Sequence, residues 1–328
     1  MPELSLALSS LTSVSVLVFV LGFAASRLKS DLRVPEAVYQ LISIFLLFGI
    51  GLKGGVGLHK ADLSSAIIPL LLTVVLGVAT PLAAYLVLKR LTKLERVDLG
   101  SLAAHYGSTS LVTFSAALVF LDNQSIEYGG YATALLAIME IPGLIVGIYL
   151  GSRAVAALDG KPSLNWRETM HEILLSRSIL LLIGGLVIGY VTGSQGYEKV
   201  TPFFVDLLPG VLALFLMHLG FVAGSQLDKL KEVGVKLVGF GLLFPLITGA
   251  LTATLATLCG LSVGDSTVLA VLVASASYIA APAAVSVALP QANHGLAITS
   301  ALGVTFPFNL TLGIPAYLAI AELMSGLV

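Results

Sequence analysis

The sequence predicts an all-α polytopic membrane protein. Its ten transmembrane helices form a 5+5 inverted repeat, with helices 4 and 9 broken and crossing and both termini outside. Three observations lead there. Of 328 residues, 57% are hydrophobic and only 11% charged, whereas an ordinary soluble domain is nearer a quarter charged. Lysine and arginine collect in alternate connections. A glycine-rich motif recurs at an offset of 169 residues.

A membrane-spanning helix needs about 20 apolar residues. The segments of that kind are Leu8–Leu28, Pro35–Lys53, Leu63–Arg90, Leu99–Leu121, Tyr131–Gly151, Ile173–Thr192, Pro202–Gln226, Val233–Leu258, Asp265–Leu289 and Ala297–Leu323. Their hydrophobicity is continuous rather than one-sided, so lipid is the outer solvent. The first segment has only Glu3 before it and Arg27, Lys29 and Arg33 after it. That polarity is wrong for a cleaved signal peptide and right for a first helix that ends in the cytoplasm. The lone Cys259 excludes an internal disulfide and reads as apolar packing.

The connections carry the orientation. Fourteen of the 17 basic residues fall in or beside the first, third, fifth and seventh connections, and only Lys53, Lys60 and Lys199 lie on the other side. The odd connections are therefore cytoplasmic, and Lys53 reads as a side chain reaching for the outer interface.

The motif Gly-x-x-small-Gly-x-x-Leu-x-Lys starts at Gly51 and again at Gly220, each time after a helix opened by a proline. This divides the chain into a first repeat, 1–155, and a second, 156–328, with core and gate domains each assembled from both. Five is odd, so the two copies point in opposite directions. Inverted repeats with broken helices at mid-membrane are a mark of secondary transporters.

Helix 4 carries Gly107-Ser108-Thr109-Ser110, and the offset overlays it on Ala276-Ser277-Tyr278-Ile279 in helix 9, where Ser275 and Pro282 flank the patch. Gly107 reads as a residue chosen for backbone freedom, and Pro282 as a helix breaker. Serine and threonine also sit on membrane helices to bond their own backbone, but paired patches beside a glycine or proline favour a site. Half-helix N-termini offer N–H groups to an anion, and hydroxyls and carbonyls offer oxygens to a cation.

Glu140 lies mid-helix 5, two residues before Pro142. A carboxylate at that depth marks function by default, as a cation ligand or a proton carrier. Asn309 holds a comparable place in helix 10, and His105 stands close to the first break. His218 reads as a helix–helix contact. Gly54, Gly55 and Gly57 read as close packing. No nucleotide loop, zinc spacing or catalytic constellation appears, so neither an enzyme nor a nucleic-acid-binding protein is expected, and any transport is gradient-driven.

The stretches VPEAVYQLISIFLLFGIGLKGG, ALLAIMEIPGLIVGIY, LLPGVLALFLMHLGFVAGSQLDKL and VLAVLVASASYIAAP resemble the SbtA-like sodium-dependent bicarbonate transporter family, over almost the whole chain. The resemblance implies a divergent bacterial member in the inner membrane, multi-pass and homotrimeric, with a possible PII-like cytoplasmic regulator. It implies no cofactor beyond Na+ as coupling ion. Gly107, Ser110 and Thr113 match the family's helix 4 residues, Ser275 and Ser277 its helix 9 serines, and Glu140 the acidic residue before Ile-Pro. Tyr278 stands where the family has an acidic residue.

The expectation is therefore cation-coupled uptake of a small inorganic or carboxylate anion, bicarbonate first. Gly107, Ser108, Thr109, Ser110, Thr113, Ser275, Ser277 and Tyr278 would bind the anion. Glu140, Ser110, Ser275, Asn309 and His105 would bind or couple the cation. Two alternatives stand beside it: a proton-coupled transporter of another small anion, and a membrane-embedded ligand sensor that transports nothing.

Overall fold

A computed structural model describes residues 12–32, 34–61, 63–159, 165–227 and 234–327. Within these, 83% helix and no strand are found, and eight helices are long and apolar enough to cross a membrane. In chain order the helical elements, of which several combine into one span, are α1 (Val14–Arg27), α2 (Glu36–Lys60), α3 (Leu63–Leu91), α4 (Arg96–Gly107), α5 (Leu111–Asn123), α6 (Ala132–Asp159) and α7 (Trp166–Leu174). Then come α8 (Arg177–Glu198), α9 (Thr201–Phe204), α10 (Leu208–Gln226), α11 (Val235–Leu258), α12 (Val263–Ala274) and α13 (Ala280–Ala288). The last helix begins as α14 (His294–Ser300), widens into π-helical Ala301–Thr305, tightens at α15 (Phe306–Phe308), widens again at Asn309–Gly313 and ends as α16 (Ile314–Ser325).

The boundaries differ from the sequence reading where polar caps and prolines cut in. The predicted sixth helix starts at Arg177 rather than Ile173, because the Ser176 hydroxyl caps the Ile179 N–H. Residues 166–174 form the separate α7, capped by Asn165. The predicted seventh helix divides: Pro202 opens only the single turn of α9, and Pro209 sits in the first turn of the long α10. A proline is tolerated at a first turn because the N–H it lacks has no partner there anyway. The predicted ninth helix splits into α12 and α13, and neither half is membrane-length. The predicted start of the first helix, residues 8–11, lies outside the described residues, as do Arg33, Lys161, Lys229 and Lys231.

Glycines set the tightest packing. On α2, a Cβ at Gly51 or Gly55 would run into the backbone of α8 at Leu182 and Leu186, and one at Gly189 would meet the Leu52 carbonyl. On the α1–α10 pair, a Cβ at Gly22 would strike the Met217 carbonyl and one at Gly220 the Phe19 carbonyl. Helices that approach this closely associate through dispersion contacts and need small residues to do so. The expectation of close packing at Gly54, Gly55 and Gly57 holds, with Gly54 seated on Thr133 and Gly57 on Gly130.

A second group of helices is held the same way. Gly100 faces Gly151, Gly147 faces Ala104, and Gly143 faces the Gly107 carbonyl, at spacings of four and three residues down α4 and four down α6. The chain thus packs as one group of α1, α2, α8 and α10 and another of α3–α6 and α11–α16. Large apolar side chains such as Leu71, Val75, Leu180 and Val191 remain exposed on α3 and α8, as expected for faces solvated by lipid.

Candidate functional site

Both predicted breaks are present. Helix α4 ends at Gly107, the chain runs extended through Ser108 and Ser110, and α5 restarts at Leu111. Helix α12 ends at Ala274, Ser275 is extended, and α13 restarts at Ala280. The two breaks bond to each other. The Ser110 N–H donates to Ser275 Oγ at 2.9 Å, the Ser277 N–H donates to the His105 carbonyl at 2.8 Å, and Ser110 Oγ donates to the Tyr278 hydroxyl at 3.1 Å.

The physical reasons for the breaks differ from those expected. Gly107 does not need left-handed backbone, since no positive φ occurs there. It is glycine because a Cβ would press on the Pro81 ring and on the Cα of Gly143, 3.0 Å away. Pro282 does not terminate a helix. It sits in the first turn of α13, where its missing N–H costs nothing.

Several candidate residues turn out to serve the breaks themselves. Ser110 is the N-cap of α5, accepting from the Thr113 N–H at 3.2 Å and the Thr113 hydroxyl at 2.9 Å. The Ser275 hydroxyl also donates to the Leu272 carbonyl at 2.9 Å. The Asn309 amide donates to the Ala274 carbonyl at 2.8 Å, satisfying an end group of α12, and accepts from the Tyr317 hydroxyl at 2.9 Å. His105 is fully buried, with Nδ1 on the Ser101 carbonyl at 2.8 Å. His218 packs against Tyr39 in the α2–α10 pair, with ring centroids 4.8 Å apart and the rings tilted by 40°.

Other groups are left free. A small cavity lies against the breaks, lined by Thr109, Ser110, Glu140, Ser277 and Tyr278 together with apolar side chains. The centre of a water-sized sphere sweeps about 20 Å³ of it. That exceeds the roughly 10–15 Å³ a water needs and admits only a small solute. Among the described residues, the Thr109 hydroxyl has no hydrogen-bond partner. Among the described residues, no donor or cation pairs with the buried Glu140 carboxyl. Leu111 and Ala280, the first residues of α5 and α13, also line the cavity, and first-turn N–H groups have no acceptor inside their own helix.

Gly107, Thr113, Ser275, Asn309 and His105 do not line this cavity, and Ser108 is buried behind it with its hydroxyl unpartnered. The far wall was not legible in the sequence. It comes from the other helix group: Leu47 of α2, and Ser178 and Leu182 of α8. Ser178 is a buried serine two residues beyond a helix cap, a signal that alone reads as a helix start. Tyr106 was also missed. It is buried behind the first break, its hydroxyl 2.7 Å from Ser300 Oγ and 2.8 Å from Thr305 Oγ1.

Lys53 does more than reach the interface. Its ammonium lies 3.6 Å from the Asp122 carboxylate and 3.2 Å from the Tyr128 hydroxyl. It therefore ties the end of α2 to the end of α5. Among the described residues no cluster of three or more histidine, cysteine, aspartate or glutamate side chains forms a metal site.

A family model described as the Na+-dependent bicarbonate transporter superfamily matches residues 15–322. No curated protein matches the chain.

Proposed function

Since the chain belongs to the Na+-dependent bicarbonate transporter superfamily, we propose that it carries bicarbonate, with Na+ as the coupling ion, through the cavity between its two helix breaks. One observation carries this reading. A buried carboxyl with no partner among the described residues, Glu140, shares a small cavity with the Thr109 hydroxyl, likewise unpartnered there, and with the first residues of two half-helices. Donors at half-helix N-termini suit an oxyanion. A carboxylate with hydroxyl and carbonyl oxygens nearby suits a small hard cation. The cavity's size favours a solute of a few atoms.

The repeat supports the motion. Shifted by 169 residues, Leu111 at the start of α5 becomes Ala280, the start of α13. The same shift lays α1 on α8, α2 on α10, α3 on α11 and α6 on α14–α16, a correspondence that supports reading the chain as two five-helix repeats in an inverted arrangement. The pairs α1–α10 and α2–α8 form the gate, and the remaining helices form the core. The cavity is lined from both, so sliding the core against Leu47, Ser178 and Leu182 opens it to one side or the other.

In this mechanism Thr109 presents its hydroxyl to the anion, and so does Ser277, whose Oγ also accepts the Ala281 N–H at 3.1 Å and so caps α13. The N–H groups at the head of α5 and α13 offset its charge, and Glu140 offsets that of the cation. Tyr278 closes the site over Ser110 and narrows it. Ser110, Ser275 and Asn309 hold the breaks in place.

Uptake of labelled bicarbonate into proteoliposomes tests this, with an inward Na+ or choline gradient at fixed pH and with Glu140→Gln and Ser277→Ala beside the wild type. Uptake that requires Na+ and is lost in both variants is the expected result. Uptake driven equally by choline but dependent on a pH gradient replaces Na+ with protons. Saturable binding without flux makes the protein a sensor, and neither binding nor flux of bicarbonate by folded protein removes bicarbonate as cargo.

A further inference from the structure

On the lipid-facing side of the core, α3 and α11 enclose an apolar groove of about 610 Å³. Its floor on α11 runs from Lys236 through Leu243 and Ile247 to Leu251, repeating at helical spacing. That is about 22 Å at 1.5 Å per residue. The hydrocarbon of one leaflet is about 15 Å deep, half of roughly 30 Å, so the groove spans a leaflet and reaches its headgroups. Leu243, Ile247 and Leu251 are exposed along it. The hydroxyl of Thr248 is turned back onto the Phe244 carbonyl at 2.8 Å, so it offers nothing polar.

One end is charged and the other is not. Arg90, at the close of α3, and Lys236, at the opening of α11, both line the groove at the same end. Among the described residues neither has an ion-pair partner. Both belong to the basic side of the chain, the cytoplasmic leaflet by the charge distribution. A long apolar slot with two cations at its headgroup end, neither paired among the described residues, matches a two-part ligand with a chain and an anionic head.

We propose that this groove binds one anionic phospholipid of the cytoplasmic leaflet, its acyl chain along α11 and its phosphate between Arg90 and Lys236. The site lies on the core domain and is separate from the transport cavity. The lipid would be carried with the core or would brace it.

The test uses full-length protein in mild-detergent micelles, offered equal amounts of phosphatidylglycerol and phosphatidylcholine of one chain composition. Retained lipid is counted by native mass spectrometry. Each basic residue near a membrane surface attracts anionic lipid by about fivefold. Wild type is therefore expected to prefer phosphatidylglycerol by on the order of tenfold or more. Arg90→Gln with Lys236→Gln should erase that preference while leaving some lipid bound. Gly239→Leu should lower retention of both lipids, because a Cβ there meets no atom outside its own helix within 4 Å and the added side chain has open groove to fill. Equal retention of the two lipids by wild type, or a preference that survives the double charge substitution, overturns the proposal. So does an oligomer that dissociates in Gly239→Leu, which would make the groove a contact between copies.

Discussion

Ser110 and Thr109 are adjacent hydroxyl residues at one helix break, and the structure assigns them opposite consequences. Ser110→Ala removes an N-cap, worth about 1 kcal/mol. It also strips the Tyr278 hydroxyl of its donor at 3.1 Å and the Thr113 hydroxyl of its acceptor at 2.9 Å. A buried polar group left unpaired costs about 1–3 kcal/mol, so the substitution should cost about 2–4 kcal/mol in all. Tyr278→Phe alone should cost about 1 kcal/mol. The double variant should fall short of the sum by about 1 kcal/mol, because the two share one bond. Thr109→Val removes a hydroxyl that has no protein partner, so stability should hold within about 0.5 kcal/mol while bicarbonate uptake falls at least roughly tenfold, the worth of one charge-assisted hydrogen bond. Equilibrium unfolding in detergent, followed by helicity, measures the first three. The proteoliposome assay measures the last. Additive costs for Ser110 and Tyr278 would refute the shared bond. A Thr109→Val protein that is destabilised as much as Ser110→Ala, or transports normally, would refute the division between break-holding and cargo-facing hydroxyls.

Three further outcomes follow from the same geometry. Gly143→Ala drives a methyl group into the Gly107 carbonyl, and backbone cannot yield as a side chain can. It should cost about 1–3 kcal/mol by the same unfolding assay. Asn309→Leu leaves the buried Ala274 carbonyl without its 2.8 Å donor and should cost about 2 kcal/mol, while Tyr317 keeps its bond to the Pro245 carbonyl. Lys53→Gln breaks a pair whose side chains are 42% and 52% exposed, so it should change stability by less than about 1 kcal/mol, and raising salt should shrink even that difference.

The membrane class, the place of each break and the close packing at Gly54, Gly55 and Gly57 were legible in the sequence, because each is a property of short stretches of chain. Continuous apolar runs can only be solvated by lipid, and a proline or a cap marks where a helix starts wherever it lies. Glu140 was legible too, since a carboxylate amid Ile-Met-Glu-Ile-Pro has no local partner to hide it. What a hydroxyl does once the chain is folded was not legible. Ser110 reads as a ligand from its neighbours alone, yet it also caps α5 and bonds across the fold to Tyr278 while lining the cavity. Asn309 looked like a coupling residue and closes the end of α12. Gly107 looked chosen for flexibility and is chosen for its closeness to Gly143. Leu47, Ser178 and Leu182 carry no local mark at all, yet they form the far wall of the cavity. Local chemistry settles where a chain bends and what solvates it. Which polar groups are satisfied, and which remain to meet a solute, depends on partners more than a hundred residues away that only the tertiary structure brings within 3 Å.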